Sequence, residues 1–135
     1  MKLLVDTNVF LEIILGREKA EDAKALLADA EIKELALSDF SLHSIGIFFF
    51  RRQQHDVFER FLRDMVLDLG MRTVSLGATR METVIAAAKE FNLDFDDAYQ
   101  YSVAEEYDLR LVSFDGDFDR TERGRLTPAE AVNDK

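Results

Sequence analysis

Along the chain, short apolar runs alternate with longer stretches in which apolar residues recur every three or four positions. Lys2-Leu3-Leu4-Val5 has the length and continuity of a buried strand. Asp6-Thr7-Asn8 then supplies turn and helix-start side chains ahead of Val9, Phe10, Leu11, Ile13 and Ile14. After a break at Gly16, Ala20, Ala23, Leu26, Leu27 and Ala30 repeat at helical spacing, and Glu34-Leu35-Ala36-Leu37 is short enough for a second strand. Ser38 and Ser41 are each able to start the next helix, which carries Leu42, Ile45, Ile47 and the run Phe48-Phe49-Phe50. From Asp56 to Leu69 a stripe through Val57, Phe58, Phe61, Leu62, Met65, Val66 and Leu69 predicts a long helix ending at Gly70. Beyond it, the pattern predicts a strand over Arg72 to Leu76, a helix over Thr79 to Phe91, and a helix opened by Asp96 or Asp97 and running through Tyr107. A strand over Leu109 to Ser113 follows, reaching Phe114-Asp115-Gly116-Asp117-Phe118, and Gly124 with Thr127-Pro128-Ala129-Glu130 signals a turn and a helix start beside a last short edge segment.

Four short strands separated by helices predict an α/β fold, a mostly parallel sheet covered on both faces. With 135 residues, no internal repeat and no linker-like stretch, the chain reads as a single domain over 1–135. One proline, six glycines and 47% hydrophobic residues argue for an ordered globule rather than a disordered chain. No basic leader precedes the first strand and no apolar run reaches the roughly 20 residues that cross a bilayer, so the expectation is a cytoplasmic protein without a membrane partner.

Charge changes the picture more. The 27 acidic residues outweigh 17 basic ones to give a net charge of -10, so bulk composition supplies no attraction for nucleic acid. The lack of cysteine removes disulfides, thiolate zinc sites and cysteine catalysis, and two histidines leave little scope for a histidine metal cluster. Oxygen ligands remain. In open parallel sheets ligands sit beyond the C-terminal strand ends, where Asp6 and Asp115 fall; Asp97, at a helix start, is able to turn toward the same crevice. Asp94, Asp96 and Asp117 add carboxylates close by in sequence. Converging carboxylates raise one another's pKa unless a cation compensates, and a hard divalent ion, Mg2+ or Mn2+, suits such donors. The expected chemistry is hydrolysis of a phosphodiester by in-line attack of a cation-activated water, with Asp6, Asp97 and Asp115 as ligands or water-orienting groups. Thr7, Asn8 and Ser113 are placed to hold those carboxylates. The plainer alternative makes Asp6 and Asp97 helix-start residues and Asp115-Gly116 a turn.

The motifs Leu4-Val5-Asp6-Thr7-Asn8-Val9, Asp96-Asp97-Ala98 and Leu111-Val112-Ser113-Phe114-Asp115-Gly116-Asp117-Phe118, in this order, make the chain resemble a PIN domain over nearly its whole length. The resemblance implies a three-layer α/β/α sandwich, a Mg2+- or Mn2+-dependent ribonuclease site, a homodimer, and frequent use as the toxin of a toxin-antitoxin pair whose antitoxin covers the acidic groove. By the same resemblance Asp6, Asp97 and Asp115 match the family's acids, and Asp117 its less constant neighbour. The family's usual glutamate, on the helix after the second strand, falls here on Ser44. A serine hydroxyl is a weaker ligand than a carboxylate for a hard cation, and neither His43 nor Asp39, both close in sequence, is shown to compensate.

Phe48-Phe49-Phe50 span about 200 degrees of a helical turn and cannot all point inward, which makes them interface candidates, with Arg51 and Arg52 available to rim a contact or meet RNA phosphates. Three functions stand side by side: a metal-dependent endoribonuclease acting on RNA, a PIN-like interaction protein whose turnover fell with the missing glutamate, and a phosphotransfer-type α/β domain, for which no nucleophilic aspartate with a phosphate donor stands out.

Overall fold

The computed structural model of the chain describes residues 2–29 and 34–133. Its strands are β1 (Leu3–Val5), β2 (Leu35–Ser38), β3 (Arg72–Val74) and β4 (Arg110–Val112); its α-helices are α1 (Thr7–Ile14), α2 (Ala20–Asp29), α3 (Asp39–Arg51), α4 (His55–Phe61), α5 (Met81–Phe91), α6 (Phe95–Glu106) and α7 (Pro128–Asn133). All strand pairs are parallel, in the order β3-β2-β1-β4. The expected edge segment is present as a single parallel bridge between Val112 and Leu126.

Successive side chains of a strand leave on opposite faces, and each face here has its own core. Leu3, Val5, Leu35, Leu37 and Val112 pack with Phe10, Ile45 and Phe49. Leu4, Ala36 and Leu111 point the other way, onto Val84, Ala98 and Val103. β1 and β2, buried on both sides, have no exposed face and read as near-continuous apolar runs, whereas the edge strand β3 exposes Arg72 and Thr73. The two cores and the sheet between them make three layers, α/β/α, as expected.

The chain builds outward from β1 through β2 to β3, then returns to place β4 on β1's other side, so strand order reverses between β1 and β4. Register there runs Leu3 with Arg110 and Val5 with Val112, and Asp6, just past the last pair, donates its N–H to the carbonyl of Val112 at 2.9 Å. A reversal point of this kind opens a crevice at the C-terminal strand ends.

Several boundaries differ from the sequence reading. The helix expected over Asp56 to Leu69 is α-helical only through Phe61 and winds as a π-helix over Leu62–Asp68. The longer repeat sets Met65 and Val66 on either side of the Phe61 direction, and both pack on the first core. Thr79 lies in a short 3-10 turn, Ala78–Arg80, ahead of α5. The helix carrying the late acids starts at Phe95 with Asp94 as its cap, so Asp96 and Asp97 sit within its first turn rather than opening it. Ala30, assigned to the second helix, lies outside the described residues.

Candidate active site

Asp6 follows β1 and caps α1, its Oδ1 accepting the N–H of Thr7 at 2.8 Å. Capping does not exhaust the carboxylate. Oδ1 also accepts from Nε2 of Gln100 at 2.8 Å, and Oδ2 accepts the hydroxyl of Ser113 at 2.7 Å. Helix capping and a place in the site, read from sequence as alternatives, thus coincide in one residue.

Behind Asp6 lies a buried polar network. The Gln100 amide donates a second bond to Ser41 Oγ at 2.8 Å, Thr7 Oγ1 donates to the same oxygen at 2.9 Å, and Ser38 Oγ, which caps α3, accepts the Ser41 N–H. Because Nε2 must face the acceptor-only carboxylate, the amide's orientation is fixed. Its Oε1 is left buried without a hydrogen-bond partner among the described residues. Ser113 is equally central: besides serving Asp6 it accepts from Asn8 Nδ2 at 3.1 Å and from the Asp115 N–H at 2.9 Å. Asn8 in turn accepts the Phe114 N–H at 3.2 Å. Asn8 and Ser113 therefore bind the ends of β1 and β4 and the loop after β4 into one frame, and Thr7 ties that frame to α3 through Ser41.

Asp115 caps a 3-10 turn over Gly116–Arg120 and accepts the Asp117 N–H at 2.8 Å. One carboxylate oxygen from each of Asp97, Asp115 and Asp117 falls within 4.8 Å of the others. Arg120 approaches Asp117 at 3.3 Å, an exposed pair with little screening power for its neighbours. Asp6, Thr7, Asn8, Leu11, Phe40, Ser44, Asp96, Asp97, Gln100 and Asp115 line the adjoining cleft, about 270 Å³ in volume.

The electrostatics follow from this crowding. Burial pushes the Asp6 carboxyl above its ordinary range, the donors Gln100, Ser113 and Thr7 pull it back, and the charge of Asp115 adds to the upward push. Asp97, only 9% exposed, is pushed up to about 7, first by burial and then by Asp115 and Asp96. Such a cluster is short of positive charge, and its three convergent oxygen donors fit a hard divalent cation.

Ser44 lines the cleft, where the resemblance placed the usual glutamate. The two neighbours do not replace it. His43 lines a separate apolar groove with Leu42, Gly46, Ile47, Phe50 and Phe58. Asp39 accepts the hydroxyl of Tyr99 at 2.7 Å. Sequence reading missed Gln100, although it lies one helical turn beyond Asp97, and missed Ser41 and Phe40.

The interface candidates separate. Phe49 is buried in the first core, which removes it from that role, because the helix turns it straight at the sheet. Phe48 packs partly on the same core under the guanidinium of Arg52, 3.5 Å from its ring centroid. Phe50 stays 55% exposed.

A family model described as PIN domain matches residues 3–124. No curated protein sequence matches the chain. Among solved structures, a toxin-antitoxin complex from Klebsiella pneumoniae is similar at 24% identity and a TM-score of 0.73, covering 96% of this chain and 99% of that one. VapC20 from Mycobacterium tuberculosis, a sarcin-ricin loop cleaving toxin, is similar at 21% identity and a TM-score of 0.73, covering 87% and 93%. FitAcB from Neisseria gonorrhoeae is similar at 20% identity and a TM-score of 0.72, covering 93% and 97%. At these identities the likeness establishes the fold.

Proposed function

The chain belongs to the PIN domain family, and from that premise we propose that it is a metal-dependent endoribonuclease that hydrolyses RNA phosphodiester bonds as the toxin of a toxin-antitoxin pair. The observation that carries this reading is the convergence of Asp97, Asp115 and Asp117 within 4.8 Å beside the buried Asp6. The fold's likeness to a toxin-antitoxin complex and to a toxin that cleaves the sarcin-ricin loop supports the choice of RNA and of an antitoxin partner.

Asp97, Asp115 and Asp117 would hold Mg2+ or Mn2+, with Asp6, which lies outside that three-carboxylate group but lines the same cleft, as a further ligand or water-orienting group. A bound divalent ion offsets charge building on the phosphodiester oxygens and makes a water more acidic. The chain's own part is positional. Ser113, Thr7 and Gln100 hold both oxygens of Asp6 in fixed directions, so a water hydrogen-bonded to the carboxylate is aimed rather than free to tumble. Asp97, pushed up to about 7 by burial and by Asp115, would have to release its proton to act as a ligand. Exposed Ile47 and Phe50, beside the apolar groove between α3 and α4, suit a protein contact such as a second copy or an antitoxin.

A second reading, a PIN-like interaction protein with weak or absent turnover, is favoured by one observation. The α3 residues on the cleft wall are Phe40 and Ser44, neither of them a carboxylate, and Asp39 bonds Tyr99 instead of lining the cleft. One assay separates the two: RNA cleavage by the parent chain, Asp97→Asn and Ser44→Glu, with Mg2+ or Mn2+ and with chelator. Metal-dependent cleavage abolished by Asp97→Asn establishes the nuclease. Cation binding without cleavage in the parent, with cleavage gained by Ser44→Glu, establishes the interaction protein.

A further inference from the structure

We propose that Phe95 is a stacking platform for an unpaired base of single-stranded RNA, placed by an aromatic path that leads from the start of α6 into the acidic cleft. The inference rests on the nuclease reading for the identity of its ligand. Phe95 is the first residue of α6, two positions ahead of Asp97, and although large and apolar it is 58% exposed. One side of its ring is backed by Tyr99, with centroids 6.0 Å apart and planes 26° from parallel. Tyr99 is itself fixed: its hydroxyl accepts the Leu76 N–H at 2.9 Å and donates to Asp39 at 2.7 Å. Phe40 packs on Tyr99 at 6.1 Å and forms part of the cleft wall beside Ser44 and Asp97.

The charge distribution selects stacking over phosphate contact. The chain carries a net charge of -10, and the arginines beside the acids are engaged, Arg120 with Asp117 and Arg125 with Asp119. A nucleic acid approaching this side therefore needs an uncharged source of affinity. Base–aromatic stacking supplies it, and a rigidly backed ring loses little freedom on binding. Because Asp96 and Asp97, the next two residues after Phe95, line the cleft, a base seated on its ring would have that cleft close to its flanking backbone, whereas a base paired in a duplex has its faces occupied and is excluded.

The test uses an oligoribonucleotide of about eight nucleotides carrying 2-aminopurine, in calcium-containing buffer, with RNA cleavage in Mg2+ measured alongside. Phe95→Ala is expected to weaken single-strand binding about tenfold and to abolish the quenching of 2-aminopurine. Phe95→Trp should restore both and Phe95→Leu neither, all with unchanged melting temperature because the ring is exposed. Phe95-dependent binding without cleavage supports the platform while removing the nuclease reading; cleavage with Phe95-independent binding removes the platform alone. Absence of single-strand binding by the parent chain, equal affinity for a blunt duplex, or loss of self-association in Phe95→Ala with RNA binding intact each overturns the proposal.

Discussion

Asp97 concentrates the tension of the site, since burial and the charges of Asp115, Asp96 and Asp6 all oppose its ionisation. Its carboxyl titrates near 4 in an unfolded chain and is pushed up to about 7 in the folded one. Between those values the native state binds more protons than the unfolded state, so stability falls as pH rises through the window. Without divalent cation, Asp97 should therefore lower the melting temperature between pH 5 and pH 8, and Asp97→Asn should flatten that slope; an unchanged slope in the variant would remove the assignment. Ser113 invites a different experiment. It is fully buried and joins Asp6, Asn8 and Asp115 through one oxygen. Ser113→Ala leaves those partners short of a bond and should cost about 1–3 kcal/mol in urea unfolding, together with weaker Mg2+ binding.

At the scale of elements, α3 shows how one helix divides three consecutive phenylalanines among core, cover and surface. Phe49→Ala should cost about 3–5 kcal/mol, read by denaturant midpoint, while Phe50→Ala should leave the midpoint nearly unchanged. The same contrast explains what was legible beforehand. β1 and β2 were readable because both their faces are buried, whereas the edge strand β3 exposes Arg72 and Thr73, and the meeting of Asp6, Asp97 and Asp115 at one cleft was readable because strand ends and helix starts mark the crevice. The π-helix was not, since its winding is decided by the core that receives Met65 and Val66, and an apolar stripe looks the same under either repeat. Gln100 was hidden because a lone amide mid-helix carries no signal until the phase of α6 turns it onto Asp6. Phe95 was hidden for the opposite reason: an apolar residue beside acids reads as core, yet this one faces outward.

The whole molecule carries its acidic excess into every encounter. At constant ionic strength, Mg2+ at 100 times its Kd should stabilise the fold by about 2.7 kcal/mol, and Asp97→Asn should lose most of that gain. Single-strand affinity should hold steady or rise between 50 and 200 mM monovalent salt, where a basic groove with 6–10 phosphate contacts loses about 10³–10⁵-fold. A steep fall would mean phosphate contacts dominate. The strand order has a kinetic side as well. Leu3 pairs with Arg110, so the central strand waits for nearly the whole chain before its second neighbour arrives, and pairings of such sequence separation form slowly. The carboxylates are divided by the same interval, Asp6 at one end and Asp97, Asp115 and Asp117 at the other. On a ribosome still making this protein, Asp6 is no more than a cap on its first helix. On the nuclease reading the centre is complete only once β4 is in place, so a chain that stops before Asp115 should leave RNA intact.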